Sequence, residues 1–333
     1  MKNYTRKPDN FLPARRQAGL SLVELMISLT IGLVLLTGIT TLIVQQSATR
    51  NELEKSSRQI ENGRYAMQIL HDDIEHAGFY GEYSPPATTT YTVPADPCDT
   101  TVANLGWDPV TPSVPVAISG YTGASTAPAV APACVANLKA GTAILIVRRT
   151  ATSTVAAAVG GTTYLQVSRC NTEAASTPFL LGTGGFTLRQ KDCATTASLR
   201  PYIVRIYYVS TCSVCGTDTI PTLKVVEFMN GTQTVIPLVE GIENMQFDYG
   251  IAASTTSSSP ATYTMAPATA ADWSNVMTVR VNLLARNNDP TTGYTDTKSY
   301  TLGSTAVAAA NDPYKRHVYS ELVRVINPSG RRE

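Results

Sequence analysis

Hydrophobic and polar positions divide the chain into three regimes. Residues 22–44 form an apolar run of 23 positions, built of Leu, Ile, Val, Thr and small residues, in which Glu24 alone is charged. As a helix the run spans roughly 35 Å, enough for a bilayer core. Gly32 and Gly38 interrupt it. Small residues are tolerated in such segments and let helices approach closely. From 50 to 77 the pattern turns amphipathic. Leu53, Ile60, Met67 and Ile74 recur every seven positions, with Ser56, Gly63, Leu70 and Ala77 three positions later. This is a helical stripe, not strand alternation. Glu54, Lys55, Arg58, Glu61 and Arg64 fall mostly on the other side. Heptads containing Ser56 and Gly63 make a poor coiled-coil seam, so the stripe is expected to pack on the chain's own head. The helix should end near Gly78, with Pro85 and Pro86 just beyond.

Beyond Gly78 the helical period is lost. Residues 84–135 are rich in Thr, Pro and Ala and read as an irregular excursion. Strand-like segments follow at 142–148, 163–168, 202–210, 224–228, 245–250, 276–284 and 318–325. A short turn is expected near 238–244, and the low-charge stretch 252–270 reads as a loop. The fold class is therefore α+β: a long N-terminal transmembrane and amphipathic helix packed on a mostly antiparallel β-sheet head.

Charge and cysteine usage orient this arrangement. The whole chain carries +1, which gives no pointer to nucleic acid. Residues 1–19 hold Lys2, Arg6, Lys7, Arg15 and Arg16 against Asp9, a local +4, so the remainder stands at −3. Basic residues ahead of an apolar span stay in the cytoplasm, which sends the head outward. All 6 cysteines (Cys98, Cys134, Cys170, Cys193, Cys212, Cys215) lie in that exported part. An even count there favours disulfides, with about 15 full pairings open. Near neighbours are the preferred pairs: Cys98–Cys134, Cys170–Cys193 and Cys212–Cys215. The last is a C-x-x-C at an expected hairpin tip. A redox motif would open a helix after a strand, and zinc would need a second ligand pair. A short structural disulfide fits better.

No Ser-His-Asp spacing, phosphate loop, dinucleotide fingerprint or calcium loop is present, so no catalytic residue, metal or cofactor is expected. His71 and His76 flank Asp72, Asp73 and Glu75, but residues five apart lie on different helix faces. A solvated helix end is the expectation there. His317 is read as structural.

Three fates fit the N-terminus. The run could be an uncleaved anchor, or a secretory signal cut after it, although no small-x-small site follows Val44 and the run is long for a signal core. The third is cleavage before the run, after Gly19, which keeps the helix on the mature chain. Residues 15–25, R-R-Q-A-G-L-S-L-V-E-L, resemble the class III signal of type IV prepilins. The resemblance implies that a dedicated prepilin peptidase cuts between Gly19 and Leu20 and methylates the new amine of Leu20. Glu24 then becomes the fifth mature residue, acidic in most of that family. Leu20 departs from the commoner Phe. The chain would divide into a leader at 1–19, a transmembrane helix at 20–44, its amphipathic extension at 45–78 and a periplasmic or extracellular head at 79–333. An amine and a carboxylate are each costly in an apolar phase, and pairing offsets that cost. Glu24 is expected to dock near the N-terminal amine of a neighbouring subunit, with a local pair inside one subunit as the alternative.

Residues 238–249 (L-V-E-G-I-E-N-M-Q-F-D-Y), 279–286 (V-R-V-N-L-L-A-R) and 315–327 (K-R-H-V-Y-S-E-L-V-R-V-I-N) resemble the PilW family of minor pilins, itself similar to the J-type pseudopilin of type II secretion. That resemblance implies a non-enzymatic subunit of the type IV pilus. Its partners would be PilV-, PilX-, PilE- and FimU-like minor pilins, the major pilin and a large tip adhesin, in a complex that primes fibre growth for twitching motility and cell adhesion. Because Glu24 is kept, the subunit is expected to pack below another. Two alternatives remain: a secretion pseudopilin, and a membrane-anchored adhesin or redox protein supported only by the C-x-x-C.

Overall fold

A computed structural model describes residues 19, 21–86, 88–122, 132–229 and 231–333. These divide into two compact units, with the boundary between Leu53 and Glu54. Helix α1 runs Leu22–His76. It contains no proline, and Gly78 (φ +71°) stops it in the left-handed conformation that glycine adopts without steric cost.

The head unit begins inside α1 and is built of strands. In chain order they are β1 (Thr90–Thr92), β2 (Ser113–Pro115), β3 (Ile118–Tyr121), β4 (Ile144–Thr150), β5 (Tyr164–Val167), β6 (Phe179–Gly182), β7 (Leu199–Ser210) and β8 (Thr222–Met229). Then come β9 (Thr232–Glu240), β10 (Ile242–Ala252), β11 (Pro260–Thr264), β12 (Val276–Arg286), β13 (Tyr300–Leu302), β14 (Thr305–Val307) and β15 (Arg316–Arg324). Short helices α2 (Asn171–Ala174), α3 (Ala270–Ser274) and α4 (Ile326–Gly330) lie between or after them.

Two antiparallel sheets dominate. The first has seven strands, ordered β3-β4-β7-β5-β6, with β8 added beside β7 and β9 beside β8. One edge of β7 pairs with β4; the other pairs with β5 through 199–201 and with β8 through 205–210. The second sheet is ordered β11-β10-β12-β15. Two small pairs complete the head: β1 with β2 in parallel, and the hairpin β13–β14.

Strand alternation makes the first sheet a wall with a core on each side. Leu145 and Val147 of β4 and Tyr207 and Val209 of β7 face a core shared with Ala66, Leu70 and Ile74 of α1 and with Phe247, Val279 and Val281 of the second sheet. Ile144, Ile146, Tyr202, Val204 and Ile206 point the other way, onto Trp107 and Phe179. The Trp107 ring meets Tyr80, Phe179 and Tyr202 edge-on at centroid distances of 4.8, 5.1 and 5.8 Å.

Each strand expected from the sequence is present. The differences lie elsewhere. The turn expected over 238–244 narrows to Gly241 (φ +78°), because β9 continues to Glu240 as an edge strand and β10 starts at Ile242. The 252–270 loop contains β11. Residues 84–122 supply β1 to β3 as well as Trp107, so much of the excursion is core-forming. The helical stripe also shifts. Leu53 and Ile60 are exposed, and the buried face runs Gln59, Gly63, Ala66, Met67, Leu70, Asp73, Ile74.

Candidate functional site

The N-terminal unit presents its apolar run bare. Every residue from 21 to 51 is exposed. A helix apolar on all sides requires lipid or other helices around it. Among the described residues, α1 is the one helix long and apolar enough to cross a membrane by length and composition. Its hydroxyls are internally satisfied: Ser28 donates to the Glu24 carbonyl at 2.7 Å, Thr37 to Leu33 at 2.7 Å and Thr40 to Leu36 at 2.9 Å. Such back-bonding lets Ser and Thr sit in an apolar phase without an orphaned donor.

At the head of the run, Gly19 is exposed, and Leu20 and residues 1–18 lie outside the described residues. Ser21 acts as the helix cap: its carbonyl accepts from Leu25 N–H at 3.1 Å and its hydroxyl from Val23 N–H at 3.3 Å. The Glu24 carboxylate accepts from Ser21 N–H at 3.4 Å. Ser-x-x-Glu is the spacing of a capping box, so within one chain Glu24 has a local donor. The bond is long and engages one oxygen, so acceptor capacity remains on the carboxylate.

In the head the acidic helix end departs from expectation. Asp73 is buried, not solvated. Its Oδ1 accepts from Arg149 Nε at 2.7 Å and Arg205 Nη1 at 3.1 Å, and its Oδ2 from the Tyr207 hydroxyl at 2.9 Å. Arg205 also reaches Glu227 at 2.8 Å. The network ties α1 to β4, β7 and β8. His71 does remain near the surface, between Glu75 and Glu321 at 3.3 and 2.9 Å. No cluster of potential metal ligands occurs among the described residues.

A second buried ion network sits under the last strands. The Arg316 guanidinium, 1% exposed, bonds Glu243, Asp296 at 3.1 Å and Asp312 at 2.6 Å. Hydrogen bonds from Arg316 carry the Asp312 carboxyl below its ordinary range, against the opposing effect of burial. Burial pushes Asp296 up, but Tyr300 and Arg316 overcome it and bring it below that range as well.

The cysteines form three bonds: Cys98–Cys134, Cys170–Cys193 and Cys212–Cys215. Cys212 and Cys215 lie at the tip joining antiparallel β7 and β8, where the Asp218 carboxylate accepts from Ser213, Val214 and Ile220 N–H groups. No helix starts at this C-x-x-C, so the dipole and fold context that poise a redox pair are missing. His317 lies on β15, its ring 4.8 Å from that of Tyr319.

Two family comparisons bear on this geometry. The prokaryotic N-terminal methylation motif matches residues 14–40. The description Type IV Pilus-assembly protein W matches residues 206–327, from within β7 into α4. No curated protein matches the chain. Among solved structures, the Type IV-like pilin TTHA1219 from Thermus thermophilus is 15% identical, with 56% of this chain and 78% of that chain covered and a TM-score of 0.26, too slight a likeness to carry an argument. An exposed apolar helix headed by a methylation motif fits a pilin-type subunit. Within that class, the second match supports a PilW-type minor pilin, membrane-anchored and pilus-associated. Pilins are structural subunits rather than enzymes. Their family implies contacts with other pilins and with the machinery that processes them.

Proposed function

We propose that the chain is a minor pilin that helps prime type IV pilus assembly and forms part of the tip complex. The observation that carries this reading is the bare apolar helix with Glu24 at its head, five positions after Gly19. Prepilin peptidase cuts after Gly19 and methylates Leu20. Before assembly the subunit crosses the inner membrane once, with its N-terminus cytoplasmic and its head periplasmic. It then leaves the membrane beneath another subunit, its Glu24 carboxylate facing that neighbour's N-terminal amine, where the two charges offset each other's desolvation. A head of this size crowds a tightly stacked fibre body, which favours a place near the tip beside PilV-, PilX-, PilE- and FimU-like subunits and a large adhesin, above the major pilin.

Mass spectrometry of fibres sheared from cells unable to retract pili tests the reading. A low-abundance peptide beginning at Leu20 with one added methyl is expected. The same peptide confined to the envelope would point to a secretion pseudopilin. An uncleaved 1–19 leader would overturn the pilin reading. In the same cells Glu24→Ala should lower fibre number and recovery of the minor-pilin complex; unchanged values would remove Glu24 from docking.

A further inference from the structure

The head contains a cavity of about 380 Å³ that neither the helix nor the ion networks use. Volumes of this order take a side chain or small ligand. Trp273 of α3, Tyr80, Tyr91 and Pro328 line it, and Arg331 and Arg332 stand at its wall. The aromatic wall is fixed from several directions. Trp273 sits on a helix closed by a capping box between Thr269 and Asp272, and its ring meets Tyr249 at 4.8 Å. The Tyr80 hydroxyl donates to the Pro115 carbonyl at 2.9 Å.

The two arginines are the informative feature. They are adjacent and half-buried, and among the described residues neither meets a carboxylate. Arg332 spends its donors on backbone, reaching Ser254, Ser257 and Ser274 carbonyls at 3.2, 3.4 and 3.0 Å. Arg331 makes one bond, from Nη1 to the Gly78 carbonyl at 3.3 Å. A guanidinium carries five donors, so most of Arg331's fork stays unengaged. Burial holds Arg332 below its usual range, with Tyr91 opposing and Arg331 adding to the effect. An anion beside the pair would relieve that repulsion. No carboxylate lines the cavity among the described residues.

We infer that this cavity binds an acidic peptide segment, seating an apolar side chain against Trp273 and a carboxylate on the Arg331 fork. Planar, bidentate recognition is what Arg offers a carboxylate, and aromatic pockets beside Arg anchor peptide side chains. A free inorganic anion would leave the apolar wall unused. A nucleic acid would face a chain that, apart from residues 1–19, is net negative. The inference does not depend on the pilin reading.

Titration calorimetry on the full chain in detergent tests it, with four probes: acetyl-Phe-Glu-amide, acetyl-Phe-Gln-amide, inorganic phosphate and a short thymidine oligonucleotide. Saturable 1:1 binding of the Glu peptide is expected, about tenfold tighter than the Gln peptide. Arg331→Gln should erase that preference, and Arg331→Lys, which keeps the charge but loses the bidentate fork, should retain only part of it. The Glu-against-Gln comparison on the unaltered chain stands even if a variant misfolds. Equal binding of both peptides, phosphate binding as tightly as the Glu peptide, tighter binding of the oligonucleotide, or no saturable heat with any probe would each overturn the proposal.

Discussion

Asp73 is a single buried carboxylate through which its own helix is tied to three strands. Its three donors come from β4 and β7, and Arg205 extends the network to Glu227 on β8. Removing one partner of a buried ionic cluster leaves the others uncompensated. Asp73→Ala should therefore cost about 3 kcal/mol, near the low end for such a change because Arg205 keeps Glu227. Asp73→Asn, which preserves shape and one acceptor, should cost less. Urea unfolding midpoints of the full chain in micelles would show both. Gly63 is a second decisive residue. A Cβ there would run into the ring of Tyr319, which packs over α1. Alanine gains about 1 kcal/mol in helix propensity, but overpacking costs about 1–3 kcal/mol. A net loss of roughly 1 kcal/mol is expected for Gly63→Ala on the same measurement. Had Gly63 been chosen for helix flexibility alone, the substitution would stabilise.

At the scale of elements, the three disulfides close spans of very different length. Their sequence separations are 36, 23 and 3. Loop-closure entropy then ranks the losses at about 4, 3.5 and 2 kcal/mol for the Cys98, Cys170 and Cys212 bonds. Replacing each pair with serines and following thermal melts should reproduce that order. The Cys212→Ser/Cys215→Ser chain should stay folded, and the unaltered chain should show no disulfide reductase activity. Elements also differ in how far the sequence exposes them. β4, β7, β10 and β12 are apolar on one or both faces, and their composition alone marks them as strands. β9 is an edge strand with exposed positions on both faces, and Pro237 lies within it. Its apolar residues (Val235, Ile236, Leu238, Val239) do not alternate with polar ones, so its period is not that of a strand, and its pairing with β8 makes it one.

For the whole molecule, the ion networks predict how stability follows pH. Glu82 is drawn below its ordinary range by hydrogen bonding to Arg200, and Asp312 and Asp296 are drawn down by Arg316. A carboxyl whose folded value lies below its unfolded value of about 4 stabilises the fold above that pH. The contribution disappears as pH falls through the depressed folded value. Melting temperature should therefore hold steady from about pH 8 to 5 and drop below about pH 4. A flat profile down to pH 2 would show that these pairs contribute nothing.

The chain by itself determined the features that rest on local pattern. The apolar run, Gly19 with Glu24 five positions on, the helix stop at Gly78 and the longest strands all lie within a few residues of their cause. Only the tertiary structure decided which part of the helical stripe is buried. It also decided that Asp73 is a core residue and that Trp107 centres an aromatic core. Trp273 meets Arg331 and Arg332 around a cavity for the same reason. The physical reason is separation along the chain. Asp73 meets Arg149 76 residues away and Arg205 132 residues away. A charged residue is solvated or buried according to whether such partners arrive, and no short-range periodicity records that.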